Sequence, residues 1–193
     1  SDLTAGLEYN RDRLKDNMWG YNRHTDQTVN IYSAFLQNEW KNDRWGILIG
    51  GRLDKHNMVD NVIFSPRANL RFNPTQNINL RLSYSSGLRA AQAFDEDMHI
   101  ENVGGTVAMI ERAKDLKEEK SQSFSVSADM YHRFGAFQTN LLIEGFYTRL
   151  TDVFVLGKPY DRGDGILVKT RSNGPGAKVM GLTLEGKVAY LSI

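Results

Sequence analysis

Between Phe64 and Ser86 the chain alternates without a break: Ala68, Leu70 and Phe72 are interleaved with Arg67, Asn69, Arg71 and Asn73. Ile78, Leu80, Leu82 and Tyr84 are then interleaved with Asn77, Asn79, Arg81, Ser83 and Ser85. A period of two places each set on one side of an extended strand, so both strands carry one apolar and one strongly polar face. A helix would scatter the same residues around its axis. Asn73-Pro74-Thr75-Gln76-Asn77, made of residues that set or tolerate turn dihedrals, joins the two strands into a hairpin.

The pattern recurs along the chain. Phe124, Val126, Ala128 and Met130 alternate with Ser123, Ser125, Ser127 and Asp129, and a tight turn at 133–136 leads into Phe137, Thr139, Leu141, Ile143, Gly145 and Tyr147. The opposite face of that last strand is mixed, with Gln138, Asn140, Leu142, Glu144, Phe146 and Thr148. Tyr32, Ala34, Leu36 and Trp40 alternate with Ser33, Gln37 and Glu39, and residues 41–44 turn the chain into Trp45, Ile47, Ile49 and Leu53. Leu3 to Tyr9 and Met180 to Tyr190 read as further strands, the latter with Thr183, Glu185 and Lys187 on its polar side.

The connections sort by length. Short turns at 41–44, 73–77 and 133–136 alternate with long polar segments at 11–27, 55–63, 87–120 and about 151–175. A soluble sandwich has no reason to put every long loop at one end, whereas an outer-membrane barrel has short periplasmic turns and long extracellular loops. Arg67, Arg71, Arg81, Asp129, Glu144, Glu185 and Lys187 cannot pack a dry core, but they suit a wet or plugged lumen. Tyr32, Trp40, Trp45, Tyr84, Tyr147 and Tyr190 stand near strand ends on the apolar side, where an interfacial girdle belongs. The expected fold is therefore all-β, an antiparallel up-and-down meander of about eight strands from a larger transmembrane β-barrel.

Composition narrows the rest. With 24 Lys and Arg against 23 Asp and Glu, and no long run of one sign, a nucleic-acid surface is not expected. The absence of Cys removes disulfides, Cys-ligated zinc, iron–sulfur clusters and thiol catalysis. No apolar stretch reaches the roughly 18 residues of a membrane-crossing helix.

Several segments carry a resemblance. Tyr32-Ser-Ala-Phe-Leu-Gln-Asn-Glu-Trp40 followed by Ile49-Gly-Gly-Arg-Leu-Asp54 resembles paired strands of TonB-dependent outer-membrane receptors. Ser65-Pro-Arg-Ala-Asn-Leu-Arg-Phe-Asn-Pro74 and Leu80-Arg-Leu-Ser-Tyr-Ser-Ser-Gly-Leu-Arg-Ala90 look like the next hairpin of that family. Asp115-Leu-Lys-Glu-Glu-Lys-Ser121 is similar to its Asp-Leu-Lys-Pro-Glu-Lys-Ser element, with Glu118 in place of Pro, and Gly181-Leu-Thr-Leu-Glu185 to a later strand, with Thr183 in place of a Glu. These segments occur in the family's order from about Ile31 to Tyr190.

The resemblance implies a barrel of about 22 strands filled by an N-terminal plug. Residues 1–193 are then expected to be part of a single β-barrel domain, with the plug and the closing strands outside the chain. It also implies a place in the outer membrane of a Gram-negative bacterium and a transport role. The receptor would bind a scarce nutrient such as a siderophore or cobalamin at extracellular loops and import it with energy supplied through TonB, which acts on the absent plug. The 87–120 segment leans toward siderophore and cobalamin receptors. A glycan or peptide importer of the same family is the nearest alternative, and a small outer-membrane barrel enzyme the alternative from another class.

Candidate site residues lie in the longest loop. Phe94-Asp-Glu-Asp-Met-His-Ile-Glu101 packs four carboxylates and His99 into eight residues, but its spacing is not that of a calcium loop, and no metal or other cofactor is expected. Arg89, Phe94, Asp95, Asp97 and His99 are the expected ligand contacts. Arg162-Gly-Asp164 matches an adhesion tripeptide that also makes an ordinary turn, and 173–178 reads as a bend before a strand rather than a phosphate loop. His24, His56, His99 and His132 are scattered, with no Ser-His-Asp order among them, so no catalytic residue is assigned.

Overall fold

The computed structural model describes residues 1–91, 101–103 and 106–190. Eight long strands form one antiparallel sheet in the order β1 (Asp2–Met18), β2 (Arg23–Lys41), β3 (Trp45–His56), β4 (Ile63–Thr75), β5 (Ile78–Arg89), β8 (Glu119–Phe134), β9 (Phe137–Thr151) and β13 (Ala177–Tyr190). Each strand pairs with the next long one in sequence, which is the up-and-down meander expected. The described residues contain no α-helix, only one 3₁₀ turn at Trp19–Tyr21.

Register settles which residues share a face, because residues directly opposite in an antiparallel ladder point the same way. One row runs Ile47, Leu70, Leu82, Val126, Gly145 and Leu182 across six strands. The neighbouring row, one residue along, runs Leu48, Asn69, Ser83, Ser125, Phe146 and Gly181, and the next polar one Gly46, Arg71, Arg81, Ser127, Glu144 and Thr183. The sheet is largely apolar on one side and largely polar on the other. Leu7 is 87% exposed and Leu182 78%, so no layer formed by the described residues covers the apolar side. A hydrocarbon solvent is the medium that suits it.

Aromatic side chains mark two levels on that apolar side. Near the short turns Trp45 stacks on Phe72 with centroids 4.2 Å apart, and Phe137 meets Tyr190 at 5.3 Å. Near the long connections Tyr9 stacks on Tyr32 at 4.8 Å and Tyr84 lies 4.7 Å from Phe124. On β2 the step from Tyr32 to Trp40 covers about 26 Å at ~3.3 Å per residue, which at a barrel strand's tilt of about 40° is a rise of roughly 20 Å, most of an outer-membrane apolar band.

Proline and glycine sit where the ladders allow them. Pro66 opposes Gly51 on β3, but the β4–β5 pairing begins only at Arg67, so the missing N–H is asked for by no partner. Pro74 lies within the register shift between Phe72 and Thr75. On the inward side Gly181 is directly opposite Phe146, whose ring fills the space its Cβ would take.

Two expectations about the loops are corrected. Residues 11–27 are not a loop: β1 and β2 stay paired to Met18 and Arg23, well past Ile31, where β2 parts from β3. Beyond Tyr9 the outward face of this extension becomes polar and the inward face mixes Leu14, Met18 and Val29 with Asp12, Asp16 and Gln27, which blurs the alternation that signals a strand, and cross-strand ion pairs hold it, Arg13 to Asp26 at 3.1 Å and Arg23 to Asp16 at 3.2 Å. The segments 87–120 and 151–175 also carry strands. β6 (Glu101–Val103), β7 (Thr106–Arg112), β10 (Phe154–Leu156), β11 (Tyr160–Asp161) and β12 (Leu167–Asn173) form a second sheet, in which β7 and β12 run parallel. The two largest fully buried side chains, Met109 and Val168, face each other in that parallel pair. The dry core among the described residues is thus at the loop end, where Val29 and Gln27 of the β2 extension are also buried and Arg112 donates to Gln27 Oε1 at 3.2 Å.

Candidate ligand site at the loop end

Arg89 ends β5 on the inward side, directly opposite Glu119 of β8. Its guanidinium carbon stands 5.7 Å from the centroid of the Phe154 ring, a cation–π distance, and the Phe154 amide donates to Glu119 Oε2 at 2.9 Å. Glu119 therefore joins the start of β8 to the second sheet, and Arg89 lies at that junction. Of the expected contacts, Arg89 is placed on the inward wall. Phe94, Asp95, Asp97 and His99 lie outside the described residues.

Beside Arg89 a cavity of about 330 Å³ opens on the inward wall, lined by Arg52, Asp54, His56, Ser65 and Leu88 among others. Arg52 organises its floor: Nε donates to Asp54 at 2.8 Å, Nη1 to Glu8 at 2.9 Å and Nη2 to Ser33 Oγ at 2.7 Å. The Ser33 hydroxyl donates in turn to Asp54. His56 is buried, and its Nδ1 accepts from the Met58 amide at 3.0 Å, which leaves Nε2 as the protonated nitrogen of the neutral ring. Alternation on β3 is what gathers these groups, since Arg52, Asp54 and His56 are two residues apart and share the inward face.

The chemistry is that of recognition. Arg89 brings a guanidinium to a concave wall that Arg52 shapes through its bonds to Asp54, Glu8 and Ser33, an arrangement suited to a ligand with anionic or carbonyl oxygens. Ser33 is held between an arginine and a carboxylate, which fixes the hydroxyl rather than activating it. Among the described residues no three His, Asp or Glu side chains converge on a point that a metal ion could occupy.

Sequence reasoning missed Arg52, Asp54 and His56 as a site, although the signal was present as polar residues at even spacing on a strand. The partnership with Arg89 was not readable, because it depends on two strands meeting the same cavity. The adhesion-like tripeptide is closed on itself: Arg162 Nη2 bonds the carboxylate of Asp164 and the turn uses Gly163 at φ +100°. Asn173 ends β12, and 174–176 bend the chain into β13, as expected.

The sequence pattern of the family described as TonB dependent receptor-like, beta-barrel matches residues 1–192. No curated protein matches the chain by sequence. Among solved structures, the siderophore receptor PirA from Pseudomonas aeruginosa superposes with a TM-score of 0.77 at 18% identity over 95% of this chain and 35% of that one. The ferric enterobactin receptor PfeA from Pseudomonas aeruginosa, determined as a Q482A mutant with enterobactin, gives 0.70 at 19% identity over 94% of this chain and 30% of that one. The FrpB iron transporter from Neisseria meningitidis gives 0.62 at 14% identity over 98% and 30%. The chain thus spans about a third of the length of the receptors it matches. At these identities the likeness carries the fold, and the family follows from the sequence match: this chain belongs to the TonB-dependent receptor β-barrel family, outer-membrane receptors of Gram-negative bacteria and not enzymes.

Proposed function

We propose that residues 1–193 are part of one barrel domain of a receptor that captures a metal-chelating nutrient of the siderophore class outside the cell and imports it with energy delivered by TonB. TonB acts through a plug that is not part of this chain. The observation that carries the reading is the inward cavity at the loop end, where Arg52, His56 and Arg89 stand at one wall. Ferric siderophores are bulky and rich in oxygen ligands, many of them anionic, and charge-assisted donors at a concave wall recognise that chemistry. Phe94, Asp95, Asp97 and His99 follow Arg89 in sequence and complete the proposed contact set. The likeness to PirA and PfeA supports the same class.

The test is growth of a strain lacking the full-length receptor, under iron limitation, with single ferric catecholates or ferric hydroxamates as the iron source and, in a separate arm, with limiting cyanocobalamin. Loss of growth on at least one ferric siderophore, restored by the full-length gene and weakened at least tenfold by Arg89→Ala at equal outer-membrane abundance, is expected. Loss confined to the cobalamin arm, or no loss in any arm, rejects the reading.

A further inference from the structure

The ladder between β4 and β5 stops short at the loop end. Its last pair is Arg67 opposite Ser85, yet both strands go on, β4 to Ile63 paired with β3 and β5 to Arg89 paired with β8. Asn73 donates to the Arg44 carbonyl on β3 and Tyr131 to the Asn77 carbonyl on β5, so by alternation the even residues of β4 and β5 turn their backbone groups toward each other. Pro66 and Ser86 are the next such pair, and Pro66 has no N–H to give. The wall therefore has a seam four residues long, between 63–66 and 86–89, floored by Arg67 and Ser85.

Side chains leave the seam open. On the outward side the Phe64 ring lies over Gly51 of β3, in the space a Cβ there would take, and Tyr84 packs 4.7 Å from Phe124 of β8, so each ring leans away from the seam. On the inward side a Cβ on Gly87 would meet Ser121 Oγ of β8 at 3.0 Å and no atom of β4 within 4 Å. Ser86 Oγ is buried at the seam without a hydrogen-bond partner among the described residues. An outward groove of about 410 Å³, walled by Phe64, Pro66, Tyr84 and Leu88, shares Ile63, Ser65 and Leu88 with the inward cavity beside Arg89. One opening thus joins the two sides of the wall, at the level of Tyr84 and Phe124, where hydrocarbon meets water.

We propose that the seam receives the acyl chain of an amphiphilic ligand whose oxygen-rich head sits in the inward cavity; this rests on the reading of that cavity as the ligand site. Polarity changes across the wall in the order such a molecule needs. Inside, the Arg89 guanidinium stands by the floor that Arg52 and Asp54 form. In the middle are the unpaired backbone groups of Phe64 and Leu88 with the Ser86 hydroxyl, and outside are the side chains of Phe64, Pro66 and Leu88. An amide joining head to chain finds hydrogen-bond partners at the middle, where bare hydrocarbon would leave those groups unsatisfied. A membrane lipid matches only the outer part.

The experiment uses the full-length receptor in nanodiscs and two heads, a ferric tris-catechol peptide and a ferric tris-hydroxamate peptide, each made with an N-terminal acetyl or dodecanoyl group. Affinity is measured against the concentration left free in solution, so that uptake by the bilayer does not count. For at least one head the dodecanoyl form is expected to bind about tenfold more tightly or better, since each buried methylene is worth roughly a fourfold change. Ser86→Phe, which fills the outward groove, is expected to bring the dodecanoyl form to the affinity of the acetyl form and to leave the acetyl form unchanged. A diazirine at the chain end is expected to label 61–66 and 84–88. Equal binding of the acetyl and dodecanoyl forms overturns the proposal and leaves the siderophore-class reading standing, whereas binding of no probe overturns both. Labelling spread over the outward face as far as Leu182, or a dodecanoyl advantage that survives Ser86→Phe, assigns the gain to the bilayer and overturns the proposal.

Discussion

Arg71 of β4 lies directly across from Arg81 of β5 on the inward side of the sheet. Two guanidinium groups in that position repel unless each finds another partner. Arg81 Nε donates to Asn79 Oδ1 at 2.8 Å, and Arg71 Nη2 reaches the Asn42 carbonyl oxygen at 3.5 Å. One residue along each strand, Phe72 lies across from Leu80 on the outward side. A wall whose inner surface tolerates opposed arginines while its outer surface is hydrocarbon-like has water or a polar filling inside and lipid outside.

That asymmetry gives a direct test at two adjacent positions of β5. Leu82, between Leu70 and Val126, faces lipid, and Ser83, between Asn69 and Ser125, faces inward. In the full-length receptor Leu82→Arg is expected to cost roughly 2–4 kcal/mol of folding stability in a bilayer, and Ser83→Arg less than about 1 kcal/mol. Urea titration of receptor folded into phosphatidylcholine vesicles measures both. Equal losses would refute the assignment of the two faces.

The main sheet was legible from sequence because a period of two survives wherever one face meets lipid. Ala68, Leu70 and Phe72 have no other arrangement that buries them together. The same argument fails past Tyr9, where Arg11, Asp12, Arg13, Lys15 and Asp16 put charge on both faces and blur the period of two, yet remain paired strand. The second sheet was illegible for another reason. β7 and β12 are separated by more than fifty residues and run parallel, so their pairing rests on contacts that no local pattern encodes. The inward cavity falls between these cases: the spacing of Arg52, Asp54 and His56 shows their common face, while Arg89 joins them only through the order of strands.

Asn173 is the strap that ties this second sheet to the barrel wall. Its Oδ1 accepts from the Lys117 amide at 2.7 Å, and its Nδ2 donates to the carbonyls of Lys117 at 3.0 Å and Asp152 at 2.7 Å. Asn173→Ala leaves those three backbone groups without it, at an expected cost of about 1–3 kcal/mol. Hydrogen exchange should quicken at Met109 and Val168 and stay unchanged at Val126 in the centre of the wall. Unchanged exchange at Val168 would show that the sheet is held without the strap.

Acid should release two carboxylate pairs of the outer decoration. The hydrogen bond from Arg13 holds the Asp26 carboxyl below the usual aspartate value, and that from Arg162 does the same for Asp164. A group whose pKa is lowered on folding contributes above its unfolded value and stops contributing as pH falls through its folded one, here below about pH 4. Carbon-13 titration of the labelled aspartates in the refolded receptor should give midpoints below the usual range, and Arg13→Gln should return Asp26 alone to it. A midpoint for Asp26 that ignores Arg13→Gln would refute the pairing.

The last test concerns the 193-residue chain made alone. Its eight-stranded sheet is open, with β1 and β13 each paired on one side only among the described residues. An unpaired edge is a row of free N–H and C=O groups, and both edges here flank an uncovered apolar face that includes Leu3, Leu7, Leu182 and Val188. Closing eight strands on themselves would crowd Arg67, Arg71, Arg81 and Glu144 into a narrow interior where charges are costly to bury. Pairing of edges between chains, or cover by detergent, avoids that cost. Light scattering in detergent-free buffer is therefore expected to show assemblies many times the 21.9 kDa of one chain. A folded, monodisperse monomer would show that the outward face is not a lipid face.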